Sequence, residues 1–292
     1  MDAGATGSRA RALRALTVVQ TLAASDAHAT NAYWGRSDLE RAIDAALLGA
    51  GKNIDALTID DLAPVDHFHG GGKPSTLRLA RLAQLGPGMR VLDVGGGLGG
   101  PARTLATEFG CSVVVVDLTE SYVHTGQRLT ARLGLADRVR HRLGDALALD
   151  VDSEPFDVIW TENSGMNIAA KDRLYAGFAR ILPLGGLLAL QEPMAGPVPP
   201  PLFPQMWARD ASTSFLRPPE AMRALIEAAG FRTRAWDDVT QEIGGPSTGA
   251  GVPAQSVARL VMGDAIDDIM RAARRNRDEG RIVMIQAVFE RH

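Results

Sequence analysis

Four carboxylates and one run of glycines have the types and spacing to do chemistry together. Asp93 stands two residues ahead of Gly95 in the stretch RVLDVGGGLGGPAR, from Arg90 to Arg103. Asp117 closes a β-branched run 22 residues after Gly95. Asp145 lies in Gly144-Asp145-Ala146, and Glu162 follows FDVIW, Phe156 to Trp160. Glycine is needed where backbone turns with positive φ or comes within contact of a ligand. A short apolar strand, a glycine turn and a helix start together aim free backbone N–H groups at one edge of a sheet, the usual seat of a nucleotide cofactor. A carboxylate at the end of the next strand can accept both ribose hydroxyls. The alternative for Asp117 is to cap the helix that begins at Thr119 and Glu120, but the spacing and the strand end coincide and favour the ribose.

The glycines fit two patterns. Gly95, Gly97 and Gly100 satisfy the dinucleotide spacing G-x-G-x-x-G. Gly95, Gly97 and Gly99 satisfy G-x-G-x-G, the spacing of S-adenosylmethionine (SAM) sites. Asp93 separates them, because it can face the positively charged methionine end of SAM but would repel a pyrophosphate. The stretch resembles motif I of the class I SAM-dependent methyltransferases, V-L-D-V-G-C-G-x-G, with Gly96 in place of the common cysteine, a small-for-small exchange. Gly144-Asp145-Ala146 is similar to that family's G-D-A element, which implies that Asp145, with Ala146 beside it, takes the adenine amino group. Leu118 would then lie against the adenine. A carboxylate is an apt acceptor for an amine that donates two hydrogens; the alternative reading of Asp145 is a turn aspartate. Leu182 to Glu192, LPLGGLLALQE, is similar to the L-K-P-G-G turn and fifth strand, with Leu184 where proline is usual.

The resemblance covers residues 66 to 240 or so. It implies an α/β, Rossmann-like, seven-stranded sheet of order 3-2-1-4-5-7-6 with helices on both faces. Small-molecule enzymes similar to sarcosine/dimethylglycine N-methyltransferases and to natural-product tailoring methyltransferases are nearest in appearance. The implied cofactor is SAM, leaving as S-adenosylhomocysteine, held by Asp93, Gly95, Gly97, Gly99, Asp117, Leu118, Asp145, Ala146 and Glu162.

The elements that must position these residues read in order. Residues 11 to 24 have a helical pattern. Ser37 with Glu40 forms a capping box for a helix to Leu48, and Thr58 with Asp61 repeats it. Ser75 caps a helix from Thr76 to Leu85. Residues 1 to 85 are expected as a helical lid and 86 to 292 as the SAM-binding core. Within that core, 193 to 219 form an insertion that walls the acceptor. A helix is expected from Val257 to Arg275 and an antiparallel final strand from Arg281 to Phe289.

Glu162, at a strand's carboxyl end beside the switch between strands one and four, and His69, in DHFHGGGKPST, are the candidate bases or orienters. His67, Asn163, Met166, Trp207 and Asp210 are the candidate acceptor contacts. His67 and His69 lack an H-E-x-x-H companion, so a packed or closing loop is favoured over a metal site, and no metal is expected. The aromatics of the insertion could instead pack the lid.

Composition bounds the rest. The chain of 292 residues has net charge −3, which gives no basic footprint for nucleic acid. Cys111 is the sole cysteine, so no intrachain disulfide exists, and burial is its expected state. No apolar run reaches the roughly 18 residues of a membrane span. A cytoplasmic enzyme acting on a small-molecule methyl acceptor, as a possible homo-oligomer, is the expectation. The acceptor atom would be an amine nitrogen or a hydroxyl. A C-methyltransferase on a prenyl or polyketide substrate is the first alternative. A non-catalytic methyltransferase-like partner subunit is the second, and Asp93 with the G-D-A element disfavours an NAD-dependent oxidoreductase.

Overall fold

The computed structural model describes residues 38–150, 155–243 and 257–292. The expected helix over 11–24, the Ser37 cap and most of the 241–253 connection lie outside these residues. Three helices come first: α1 (Leu39–Gly49), α2 (Ile59–Asp66) and α3 (Gly72–Leu82). Thr58 and Asp61 form the expected capping box ahead of α2. Ser75 is not a cap, because α3 begins three residues earlier, after Gly71 in a left-handed conformation (φ 82°).

The core then alternates: β1 (Arg90–Val94), α4 (Gly100–Glu108), β2 (Ser112–Asp117), α5 (Glu120–Arg132), β3 (Val139–Leu143), β4 (Val158–Glu162), α6 (Lys171–Ile181) and β5 (Leu187–Ala195). After it come α7 (Pro219–Ala228), β6 (Phe231–Asp238), the short α8 (Thr240–Ile243), α9 (Val257–Met262), α10 (Ile266–Asp278) and β7 (Ile282–Arg291). A 3-10 turn at Gly263–Ala265 splits the helix expected over 257–275, where Gly263 takes φ 57°. β5 runs on to Ala195, with Pro193 paired to Met284, so the excursion expected from 193 leaves the sheet only at Gly196.

The sheet has the order β3-β2-β1-β4-β5-β7-β6, with β7 antiparallel to both neighbours. Its strands are apolar on both faces because helices cover both, as a parallel sheet requires. Leu92, Val94, Ile159, Leu188 and Leu190 pack towards α6 and α7. Val91, Val113, Val115, Val158 and Trp160 pack towards α3 and α4. A third cluster joins Leu39, Ile43 and Leu47 of α1 and Leu62 and Val65 of α2 to Leu98, Tyr122 and Leu129. The N-terminal helices therefore rest on the glycine turn and on α5. The chain leaves β1 outward to β2 and β3, then returns to β4 on β1's other side. That reversal opens a crevice at the carboxyl ends of β1 and β4.

Candidate active site

At this crevice β1 ends and the chain turns at Gly95 (φ 75°), whose N–H donates to the Val116 carbonyl at 2.8 Å. A Cβ here would collide with the Ser164 side chain after β4, so glycine lets the two chain ends meet. Asp117, at the end of β2, accepts from Gly97 N–H at 2.9 Å and Thr119 N–H at 2.8 Å. It is not the helix cap, which is Thr119; it accepts that residue's N–H and ties the glycine turn to β2. A carboxylate has about four lone-pair sites, so two bonds leave Asp117 able to accept more. Asp145, after β3, accepts from Leu147 N–H at 2.8 Å, as a turn aspartate does. Leu118, Asp145 and Ala146 are all half-buried where β2 and β3 end. In the parallel register Asp117 lies opposite Leu143, so those two ends are level.

Asp93 is buried, and its Oδ2 has no hydrogen-bond partner among the described residues. Burial pushes its carboxyl well above the usual aspartate range, and the charges of Glu162 and Asp117 add to this. The carboxyl lies against Gly96. A Cβ at 96 would overlap Asp93 Oδ2 and fall 2.8 Å from Val115 Cγ1. Gly96 is therefore not a neutral stand-in for cysteine, as its small size implied. Gly96→Cys should destabilise the fold by about 1–3 kcal/mol, the usual cost of overpacking, read as a lower midpoint in thermal melting.

Glu162 ends β4 on the same face as Trp160. Trp160 Nε1–H and Thr76 Oγ1–H both donate to its Oε2, at 3.0 and 2.9 Å, while Oε1 is buried without a partner among the described residues. His69 Nε2 stands 3.7 Å from Oε2 and 3.2 Å from Thr76 Oγ1. Burial lowers the His69 pKa, outweighing the pull of the Glu162 charge, so the ring is neutral at neutral pH. The two candidate bases thus meet, with His69 behind Glu162 and only 3% of its side chain exposed.

Three further strand residues continue the row from Glu162. Glu162 pairs in register with Gln191, Gln191 with Gln286, and Gln286 with Asp237. From α3, Ser75 Oγ donates to Gln191 Oε1, and Arg78 donates to Gln286 at 2.6 Å and to Asp237 at 2.9 Å. Gln191 Nε2 donates to Gly70 O at 3.0 Å and Asn163 Oδ1 at 3.1 Å. Sequence reading gave Ser75 and Thr76 only a place at a helix start and assigned no site role to them, to Gln191 or to Gln286. The signal for the glutamines was present: each interrupts an apolar run, Gln191 together with Glu192 after LLAL and Gln286 after IVMI, and a buried amide must be satisfied.

Of the expected acceptor contacts, Asn163 (φ 54°) and Met166 lie in the loop after β4. His67 is buried, with Nδ1 2.7 Å from Asp66 and Nε2 3.1 Å from Thr104, which leaves neither nitrogen for an acceptor. Trp207 is buried against Met166 and Ile282, and its Nε1–H donates to Ser214 at 3.0 Å, so this aromatic packs the excursion. Asp210 is exposed and caps Ser212 N–H at 2.8 Å. No group of three His, Cys, Asp or Glu able to hold a metal occurs among the described residues. Cys111 is buried, its thiol pKa pushed up to about 11 by burial.

Residues 91–186 match the methyltransferase domain family. That third of the chain is similar to a methyltransferase domain. Its fold is that of solved class I structures. It aligns with geranyl diphosphate C-methyltransferase from Streptomyces coelicolor A3(2) at TM-score 0.61 and 18% identity, over 75% of this chain and 79% of that one. It aligns equally with the [4+2]-cyclase SpnF at TM-score 0.59 and 21% identity, over 75% and 80%. The curated relatives include sarcosine/dimethylglycine N-methyltransferase of Halorhodospira halochloris, 27% identical over 68% of this chain and 71% of the relative. They also include sterol 24-C-methyltransferase of Eremothecium gossypii, 33% identical over 39% and 31%. This chain spans only 31% of the length of that sterol 24-C-methyltransferase and 48% of the length of methyltransferase GfsG of Streptomyces halstedii, to which it is 31% identical over 45% of its own length.

The site of this domain fits SAM by charge. Among the described residues Asp93 Oδ2, against Gly96 of the glycine turn, and Glu162 Oε1 are carboxylate oxygens without a partner. SAM brings an ammonium and a sulfonium to such a place, whereas a dinucleotide brings a pyrophosphate that two buried carboxylates repel.

Proposed function

We propose that this protein is a SAM-dependent methyltransferase acting on a small-molecule acceptor, at an amine nitrogen or a hydroxyl. The observation that carries this reading is the pair of buried carboxylate oxygens on Asp93 and Glu162 without a partner among the described residues. Bound SAM supplies an electrophilic methyl on a sulfonium. The chain's own part is to hold both partners in line and keep water out, an effect that can contribute about 7–11 kcal/mol. Asp117 and Asp145 receive the ribose hydroxyls and the adenine amine. Asp93 faces the methionine end, and the turns at Gly95, Gly97 and Gly99 let the backbone approach. Glu162 orients the acceptor and takes its proton, with His69 in support. Helices α1 to α3, the described part of the N-terminal region, act as a lid over this core, and the excursion after β5 closes the acceptor side. No nucleic-acid partner is expected, and the cytoplasm is the expected compartment. No helix among the described residues is long and apolar enough to cross a membrane.

A carbon acceptor is the second reading, favoured by the same unpartnered Glu162 oxygen. Methyl addition to an alkene leaves a carbocation, and a buried carboxylate can remove the proton that quenches it. The test separating methyl transfer from dinucleotide chemistry is calorimetric titration with S-adenosylhomocysteine and with NAD. Micromolar binding of the first and none of the second is expected; tight NAD binding alone would overturn the proposal. With an acceptor in hand, Glu162→Gln should lower turnover by at least about 10²-fold, the usual contribution of a general base. A loss under tenfold would assign Glu162 to binding alone.

A further inference from the structure

The hydrogens around Thr76 can be counted, and the count fixes more than the two candidate bases. Thr76 has one hydroxyl proton and donates it to Glu162 Oε2 at 2.9 Å. Its oxygen also lies 3.2 Å from His69 Nε2. With that proton already given, Thr76 can meet His69 only as an acceptor, so His69 Nε2 must carry a hydrogen. Were Nε2 bare, two lone pairs would compete for one hydroxyl proton, with Nε2 and Oε2 only 3.7 Å apart. Nδ1 pulls the other way: Gly70 O, 3.2 Å from it, can only accept, and both Gln191 Nε2 hydrogens go to Gly70 O and Asn163 Oδ1, so the ring hydrogen would pass to Nδ1 if Thr76 did not hold it at Nε2. Trp160 Nε1–H gives Oε2 its second donor.

We propose that Thr76 is a positioning residue for the methyl transfer inferred above. It carries a one-way chain, His69 Nε2–H to Thr76 Oγ to Glu162 Oε2, that clamps one carboxylate oxygen and presents the other, Oε1, to the cationic methyl donor and the acceptor. The inference rests on the SAM reading, but its first readout does not. No proton leaves the chain at rest; the three groups stand as neutral imidazole, hydroxyl and carboxylate. The clamp acts by direction. Two neutral donors converge on Oε2, so the lone pairs of Oε1 are the ones left unanswered. Thr76 is fully buried and valine has its shape, so Thr76→Val removes the hydrogen bonds with little change of packing.

The experiment uses the full chain labelled with 15N-histidine, in wild type, Thr76→Val and Thr76→Ser. Long-range 1H–15N correlation spectra report the ring tautomer, with His69→Gln assigning the signal. The expected result is a neutral Nε2–H ring in wild type and Thr76→Ser, and a shift towards Nδ1–H, donating to Gly70 O, in Thr76→Val. The second readout is calorimetry with SAM and S-adenosylhomocysteine, which differ in the sulfonium charge. Thr76→Val should lose at least about tenfold in affinity for SAM relative to S-adenosylhomocysteine, the worth of roughly one hydrogen bond to a charged group, and Thr76→Ser should restore the ratio. An Nδ1–H ring in wild type overturns the proposal, as does a valine variant that keeps either readout at the wild-type value. Failure of wild type to bind either ligand, with the expected tautomers present, overturns the SAM reading instead and keeps the hydrogen-bond chain.

Discussion

Replacing Asp117 by alanine should weaken S-adenosylhomocysteine binding by at least about 10²-fold, because two hydrogen bonds to a charged group are worth about 1.5–3 kcal/mol each. The structure adds a second reason for a large effect. Asp117 holds Gly97 N–H at 2.9 Å and Thr119 N–H at 2.8 Å, so its loss also frees the glycine turn that must stay open for the ligand. Asp117→Asn is the sharper control. One amide oxygen can accept from only one side, and the amide nitrogen would face the other N–H. It should therefore bind nearly as poorly as alanine despite its matching shape. Asp145→Asn keeps an oxygen for Leu147 N–H and should lose about tenfold, in line with one hydrogen bond to a charged group. The pH dependence has a definite sign. Burial raises the Asp117 pKa, with the Thr119 and Gly97 N–H groups opposing part of that rise. The ionised form that accepts ribose hydroxyls is then lost at a higher pH than for a free aspartate at 3.8. Affinity measured by calorimetry should fall on acidification before the fold does. Retention of binding within threefold in Asp117→Ala would remove the ribose role.

That site was legible in sequence to the extent that it depends on strand ends. Asp93, Asp117 and Glu162 each follow a short apolar run, and a parallel sheet gathers such ends at one edge, so spacing places them together, while Asp145, after the charged strand VRHRL, was placed by the resemblance. The strand order followed from the resemblance. Side-chain direction was not legible. His67 and His69 are two residues apart in one loop, yet one is consumed by Asp66 and Thr104 while the other reaches Thr76 and Glu162. Nor was the start of α3 legible: glycine and lysine ahead of Pro74 gave no cap signal, and Ser75 offered a false one. The helix starts early because Gly71 takes a left-handed conformation, where a Cβ would meet Ser75 and Ile243. That start turns Ser75 and Thr76 inward onto β4 and β5. Gly96 misled for the same reason: a one-dimensional motif shows a small residue, not the carboxylate folded against it.

Replacing Arg103 by methionine should destabilise the fold by about 3–5 kcal/mol, the usual cost of stripping one partner from a buried ion pair. Arg103 and Asp66 are both fully buried as side chains, with Nη2 2.8 Å from Oδ2. Nη1 donates to Thr130 at 2.9 Å, and Thr130 in turn meets His141 Nε2 at 3.0 Å. The network therefore ties the end of α2 to α4, α5 and β3 beneath the glycine turn. Gly100 is part of the fit, since a Cβ there would come within 2.5 Å of the Asp66 carbonyl. The cost should come mainly from the orphaned carboxylate. Asp66→Asn with Arg103→Met removes both charges yet leaves an oxygen for His67, and should recover most of the loss. Two acid responses follow. Burial alone would raise Asp66, but the Arg103 charge and the His67 hydrogen bond outweigh it and hold the carboxyl below 3.8. A depressed carboxylate stabilises above its unfolded pKa, and that stability disappears as pH falls through the lower folded value. Wild type should keep this contribution down to about pH 4. In Arg103→Met only burial and His67 remain, so Asp66 takes up a proton at higher pH and the penalty shrinks on acidification. Denaturant melts at pH 7 and pH 4.5 should therefore show the gap between wild type and Arg103→Met narrowing at the lower pH. A gap that stays constant would mean the loss comes from packing around the guanidinium rather than from the charge left behind on Asp66.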